Sequence, residues 1–228
     1  MTSDHVTQKR AVRIDAILDA ATELVVESGL EALTLQRLAG DLGLATSALY
    51  RYFPGKTELV VALQTRAIAE LASEITAELD FPSESRAEAL ARVWIALDVF
   101  LEGPVRHPAR HGLIDAFLSA PEAQLDAAAL ATVEATLGPL LAAVAQALGV
   151  AAERGALEPG DAQARTRLAW AAMHGLHHLR RRDRVEPRAR RSPALGRAMI
   201  ETLFLGWGAS QETLERARAL LKRRGKLV

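Results

Sequence analysis

The chain has 228 residues, 50% of them hydrophobic, a formal net charge of zero and no cysteine. That length and apolar content can fill a sizeable core, in one large or two modest domains. The lack of cysteine excludes disulfides and thiolate metal sites and suits a reducing cytoplasm, and the balanced charge excludes bulk electrostatics as a means of holding nucleic acid.

Residues 1–10 read as an N-terminal arm with charges and no apolar run, so no secretory signal is expected. Ile14, Ile17, Leu18, Ala21, Leu24 and Val25 then share one helical face, ended by Ser28-Gly29. Leu35, Leu38, Ala39 and Leu42 follow at i, i+3, i+4 and i+7, with Gln36, Arg37 and Asp41 turned away. Gly43 allows a turn at positive φ, and Leu44 re-enters the apolar layer. On the next helix, starting near Ala45 or Thr46, Leu49 and Phe53 face inward while Thr46, Ser47, Tyr50 and Arg51 face outward. Small hydroxyls let a helix sit deep in a major groove, Arg51 can pair with guanine or phosphate, and tyrosine hydroxyls can donate to phosphate oxygens. Pro54-Gly55 ends that helix. Lys56 opens another, where free backbone N–H groups and an ammonium make an anion site. These features are those of a helix-turn-helix. Residues 1–60 hold six Lys/Arg against eight Asp/Glu, so DNA binding rests on local placement of Lys9, Arg10, Arg13, Arg37, Arg51 and Lys56.

The segment resembles the DNA-binding domain of the TetR family of bacterial transcriptional regulators over about residues 10–60. The marks are Leu33-Thr34, Leu38-Ala39, Leu42-Gly43-Leu44, and the run Ala48-Leu49-Tyr50-Arg51-Tyr52-Phe53 with Lys56 beyond it. The resemblance implies that Thr34, Gln36, Thr46, Ser47, Tyr50, Tyr52 and Lys56 contact DNA, with Arg37 and Arg51 beside them. Tyr52 stands where the family often has histidine, so its phosphate contact would come from a phenol.

Beyond the head, helical periods persist and no strand-like alternation of any length occurs, so the expected fold is all-α. It is a three-helix helix-turn-helix domain over residues 1–58 joined to a larger helical effector-binding and dimerisation domain over 59–228. A helix is expected at 56–79, with a break at Asp80-Phe81-Pro82-Ser83, and further helices at 84–102, 108–119, 122–153, 161–182, 192–207 and 210–223. Residues 135–152 approach the length of a membrane span, but their alanines, Gly138-Pro139 and Gln146 read as a buried, kinked helix. Arg180 to Arg191, with seven arginines, reads as a solvated, mobile connection.

Leu168, Ala172, Gly175 and Leu179 form one stripe, and Leu195, Met199, Leu203 and Gly206 another. Two such helices from each of two chains can close a four-helix interface, which is also the dimer that the family resemblance implies. Packing of both stripes inside one chain is the alternative. A homodimer would present two heads to a palindromic double-stranded DNA operator. The resemblance also implies a small-molecule effector, and Trp94, Asp98, Phe100, Leu101, His111, Asp115, Phe117, Trp170 and His174 mix aromatic bulk with isolated polar groups as such a pocket would. Ordinary core packing is the plain alternative for Trp94, Phe100 and Phe117. Asp98 and Asp115 interrupt apolar neighbours, and a buried carboxylate needs a partner.

His174 and His178, at i and i+4 with His177 between them, have a spacing that can share a metal, but histidines on an interface helix are commoner, so no metal and no cofactor is expected. Catalysis has little to stand on. Gly55-Lys56-Thr57 lacks the phosphate-loop glycine five residues before Gly55, where Tyr50 stands, and no nucleophile elbow or His-Glu-x-x-His pair occurs. A non-specific architectural DNA-binder is disfavoured by the large non-basic second domain. The expected function is a homodimeric repressor released from its operator by an effector. An activator, or a metal- or pH-responsive regulator of the same fold, is the alternative.

Overall fold

The computed structural model describes residues 2–80, 82–119 and 127–226, and every regular element among them is helical. In chain order these are α1 (Thr2–Ser28), α2 (Leu35–Asp41), α3 (Thr46–Tyr50), α4 (Lys56–Leu79), α5 (Arg86–Arg106), α6 (Pro108–Ser119), α7 (Ala127–Glu153), α8 (Ala162–Leu179), α9 (Ser192–Gly206) and α10 (Gln211–Arg223). The break expected at Phe81, the stop at Pro121 and the start of the 122–153 helix lie outside the described residues.

Two compact units emerge: Met1–Ala69 with His107–Thr136, and Glu70–Arg106 with Leu137–Val228. In the first, α1, α2, α3 and the start of α4 share a core of Ile17, Ala21, Leu38, Leu49 and Leu63, all essentially inaccessible to solvent. Each buried leucine or isoleucine of this kind contributes about 1.5–3 kcal/mol, enough to hold helices as short as α2 and α3 that would not persist alone. Arg66 of α4 pairs with Asp19 of α1 at 2.6 Å and donates to Thr22 Oγ1 at 2.7 Å. α6 also packs on α1. The residues assigned to an N-terminal arm by sequence are the first turns of α1, which begins at Thr2.

The second unit is organised around α5, buried almost continuously from Ala89 to Gly103 and flanked by α8, α9 and α10. A helix apolar all round belongs in this central place. Trp94 meets Phe204 of α9 edge-on at 5.8 Å between ring centroids. Gly196 of α9 lies against Leu101, where a Cβ would collide with the leucine side chain, so the glycine permits close approach of the two helices. α5 starts with a reciprocal capping box, Glu88 N donating to Ser85 Oγ and Ser85 N to Glu88 Oε2, and the bonds to Ser85 hold the Glu88 carboxyl below its ordinary range.

Three details differ from the sequence reading. α5 runs through Gly103-Pro104 to Arg106, because a proline in the last turn forfeits one backbone bond without forcing a stop. The arginine tract is folded into short 3-10 turns at Arg180–Arg184 and Arg188–Arg190. Asp183 fixes its end, accepting from Ser192 N at 2.9 Å and Ser192 Oγ at 3.0 Å. Finally, α7 is long and apolar enough by length and composition to cross a bilayer, but it is buried along one side only. Val133, Leu137, Leu140, Val144, Leu148 and Ala151 recur at helical spacing on the buried side, while Ala135, Gly138, Pro139 and Ala142 are exposed. That pattern belongs to an amphipathic packing helix.

Candidate nucleic-acid interface and effector cavity

Backbone geometry builds the reading face. Thr34 caps α2, its Oγ1 accepting from Arg37 N at 3.1 Å, so part of its hydrogen-bonding capacity serves the helix end. Gly43 takes φ +63°, and Leu44 N closes back on Ala39 O at 2.8 Å, a left-handed exit that glycine adopts without strain. The chain turns directly into α3. Leu49 and Phe53 are buried beneath it, and this anchoring leaves Ser47, Tyr50 and Arg51 exposed and Thr46 and Tyr52 half-buried. Tyr50 is 52% exposed, a high value for an aromatic ring without a partner surface. Gln36 and Arg37 are exposed on α2, and Lys56 is exposed at the start of α4.

The cations around this face are held in place by the fold. Arg10 donates to Arg51 O at 3.3 Å and lies 5.4 Å from the Tyr52 ring centroid, a cation–π distance. Arg37 donates to Ser28 Oγ at 2.9 Å, and Lys56 reaches Glu31 O at 3.5 Å. Arg10 is the one group here that sequence reading placed only as a leading charge. Its contact with Tyr52 joins α1 to the end of α3 across some forty residues, a separation with no local signature. The acidic formal charge of the head is offset where α4 supplies Arg66 to Asp19.

In the second unit the aromatic candidates form core. Phe100 lies 4.9 Å from Trp170, 5.0 Å from His174 and 5.1 Å from His177, centroid to centroid, and Trp170 is 4.6 Å from His174. Trp94 is buried against Phe204, with Arg218 6.0 Å from its ring. His174 and His177 point inward with this cluster, and only His178 of the three histidines is exposed. His111 and Asp115 belong to α6 in the first unit, His111 buried and Asp115 half-buried. Phe117 lies outside the residues whose side chains are described.

Asp98 stands apart. It is 5% exposed, its Oδ1 has no hydrogen-bond partner, and it lines a cavity of about 340 Å³ together with Glu102, Arg106, His177, Arg180 and Arg197. Burial raises its carboxyl to about 6, the Glu102 carboxylate adds to the rise, and Arg197 and Arg106 oppose it. Among these residues the sequence singled out only Asp98 for an effector pocket; His177 was read with its neighbouring histidines and Arg180 with the arginine tract. The spacing of Asp98, Glu102 and Arg106, each four residues apart on α5, was the available signal for two more; Arg180 and Arg197 meet them only through the packing of α8 and α9.

The stripes on α8 and α9 face outward in the single chain. Leu168 is 58% exposed, Leu179 48% and Leu195 37%, with Gly175 and Gly206 also exposed and Ala172, Met199 and Leu203 half-buried. The opposite sides of the same helices, carrying Ala169, Met173, Ile200 and Phe204, are buried.

A short helix with a polar, exposed face, set on a buried leucine after a glycine turn, defines the N-terminal region as a helix-turn-helix DNA-binding domain. Residues 17–63 match the model of the family described as bacterial regulatory proteins, tetR family. The HTH-type transcriptional repressor DrrR1 of Streptomyces coeruleorubidus is 38% identical over 90 residues, 39% of this chain and 33% of that protein. The nucleoid occlusion factor SlmA of Mannheimia succiniciproducens is 31% identical over 104 residues, 44% of this chain and 46% of that one. The matches therefore span less than half the length of either relative. A transcriptional regulator of the TetR/AcrR family from Thermobifida fusca has the same fold, with a TM-score of 0.65 at 18% identity over 86% of this chain and 98% of that one. Residues 17–63 thus carry the DNA-binding domain of the tetR family of bacterial regulatory proteins.

Proposed function

We propose that the protein is a homodimeric transcriptional repressor that binds a palindromic operator and is released by a small-molecule effector. The observation that carries this reading is the exposed face of α3, with Ser47, Tyr50 and Arg51 held out over buried Leu49 and Phe53. Residues 1–58 form the reading head, in which Thr34, Gln36, Arg37, Thr46, Ser47, Tyr50, Arg51, Tyr52 and Lys56 meet DNA. Residues 59–228 bind effector and dimerise. The apolar stripes of α8 and α9 are the dimer surface; large side chains such as Leu168 and Leu179 left open to water on a helix are costly in a monomer and are covered in a four-helix interface. The family is a regulatory, DNA-binding one, and neither catalysis nor a resident cofactor is part of this reading. Its site of action is the cytoplasm, where the operator is.

The proposed release mechanism is a population shift. An effector beside α5 favours a dimer arrangement in which α4, the helix that carries chain from head to second domain, holds the two heads at a separation unsuited to the operator. Its effect is bounded by its differential affinity for the two arrangements.

The test separates positioning from reading. Tyr50→Ala and Lys56→Ala are expected to weaken binding to all operator variants alike, whereas Ser47→Ala or Arg51→Ala changes preference among them, with about 1–3 kcal/mol lost at the base concerned. Fluorescence anisotropy at fixed salt against a set of single-base operator variants reads both effects. Unchanged affinity in Tyr50→Ala would show that α3 is not the reading helix.

A further inference from the structure

The cavity beside Asp98 carries more charge chemistry than an apolar core needs. Glu102 is committed to Arg106, which donates through Nε at 2.7 Å and lies within 2.5 Å through its second nitrogen. Subtracting that pair leaves two guanidinium groups, Arg180 and Arg197, against the single carboxyl of Asp98. Arg197 acts on the Asp98 carboxyl from across the cavity. The first turn of α9 starts at Ser192-Pro193 on the same wall and adds the partial positive charge of a fifteen-residue helix. Leu101, Val105 and Pro193 supply an apolar lining. A volume of about 340 Å³ is at the small end of ligand sites.

We propose that this cavity takes a compact organic acid, a monocarboxylate whose anionic head lies between Arg180 and Arg197 and against Asp98, with its apolar body on Leu101, Val105 and Pro193. This rests on the reading above that the second domain binds an effector, and it names the class of that effector. Guanidinium is the planar donor that fits a carboxylate through two parallel hydrogen bonds, and two of them repel any cationic ligand. The unpaired Oδ1 of Asp98 completes the site. A carboxylate arriving beside it makes a second ionised carboxylate unfavourable, so Asp98 takes one proton from solvent and donates it as a hydrogen bond to the ligand. Burial has already raised the Asp98 carboxyl to about 6, so that it needs a rise of only about one further pH unit to be half-protonated at neutral pH. The groups that face Asp98 are Glu102 and Arg106 on α5, His177 on α8, Arg180 beyond it and Arg197 on α9; Glu74 of α4 acts on Arg106, and Asp183 is engaged by Ser192.

Isothermal titration calorimetry on the full chain tests this, using octanoate and 2-naphthoate as probes, with octanamide and octylammonium as neutral and cationic comparators. Both carboxylates should bind at least tenfold more tightly than the amide, and the ammonium should not bind. Arg197→Gln and, separately, Arg180→Gln should each weaken carboxylate binding at least tenfold with helical content unchanged. Between pH 6.5 and 8.5 affinity should fall with a slope approaching tenfold per pH unit in the natural chain and stay flat in Asp98→Asn. Tighter binding of octylammonium, equal binding to Arg197→Gln, or no binding of either acid would overturn the proposal. A pH slope that survives in Asp98→Asn would assign the proton to His177 and overturn the part given to Asp98. Carboxylate binding that leaves operator affinity unchanged would uphold the site and contradict the regulatory reading on which it rests.

Discussion

Leu168→Glu combined with Leu195→Glu is expected to turn the protein into a folded monomer that no longer holds its operator. Both leucines are exposed in the single chain, so their loss costs little folding free energy. In a two-fold dimer each substitution counts twice, and four leucines buried at an interface contribute about 2 kcal/mol each, or on the order of a 10⁶-fold change in the dimer dissociation constant. Four introduced carboxylates facing one another across the seam add to that. Operator affinity should fall at least 100-fold, because each half-site must then be bound without the effective concentration that a tethered second head supplies. Sedimentation velocity at micromolar protein reads the first effect and anisotropy the second. A variant that still sediments as a dimer would place the interface elsewhere, such as on the exposed Ala/Gly side of α7.

Asp98→Asn should stabilise the protein at neutral pH and lose that advantage in acid. The carboxyl titrates near 3.8 in an unfolded chain and at about 6 in the folded one, which corresponds to a cost of up to about 3 kcal/mol once pH exceeds the folded value. Between those two values the folded state holds more protons than the unfolded state, so stability falls as pH rises from about 4 to about 6 and is level above. Asparagine has no such titration. The variant should therefore be more stable by about 1–3 kcal/mol at pH 7.5, with the two chains converging near pH 4 in urea melts. A less stable variant at pH 7.5 would mean that the carboxylate is satisfied in the folded protein. The same residue thus links stability to ligand: a natural chain that keeps a costly unpaired carboxyl in its cavity has a use for it, whereas a purely structural core would be better served by an amide.

The head was legible almost residue by residue because its determinants are local. The spacing of Leu35, Leu38 and Ala39, the glycine at the turn and the Leu49/Phe53 pair each act within one or two turns of helix, and the structure places all five of those side chains in the core. The bounds of α4, α6 and α9 were readable for the same reason, from caps and prolines. The second domain was harder. Trp94 and Phe100 carry the same sequence signal whether they line a pocket or fill a core, and the structure shows them packed on Phe204, Trp170 and His174. Arg197 carries no signal at all until α9 is laid on α5. Pro104 illustrates the opposite error, since a local stop signal does not end a helix of which only the last residues lie beyond it.

The most direct measurement is a selection of DNA fragments by the protein, from randomised and genomic pools, at fixed salt and with excess competitor. The expected result is one enriched inverted repeat whose half-sites are separated by about one helical turn or a multiple of it, and whose sequence changes when Arg51 is replaced by alanine. Enrichment of no sequence above competitor, or of the same sequences by the Arg51→Ala chain, would contradict sequence-selective recognition by α3.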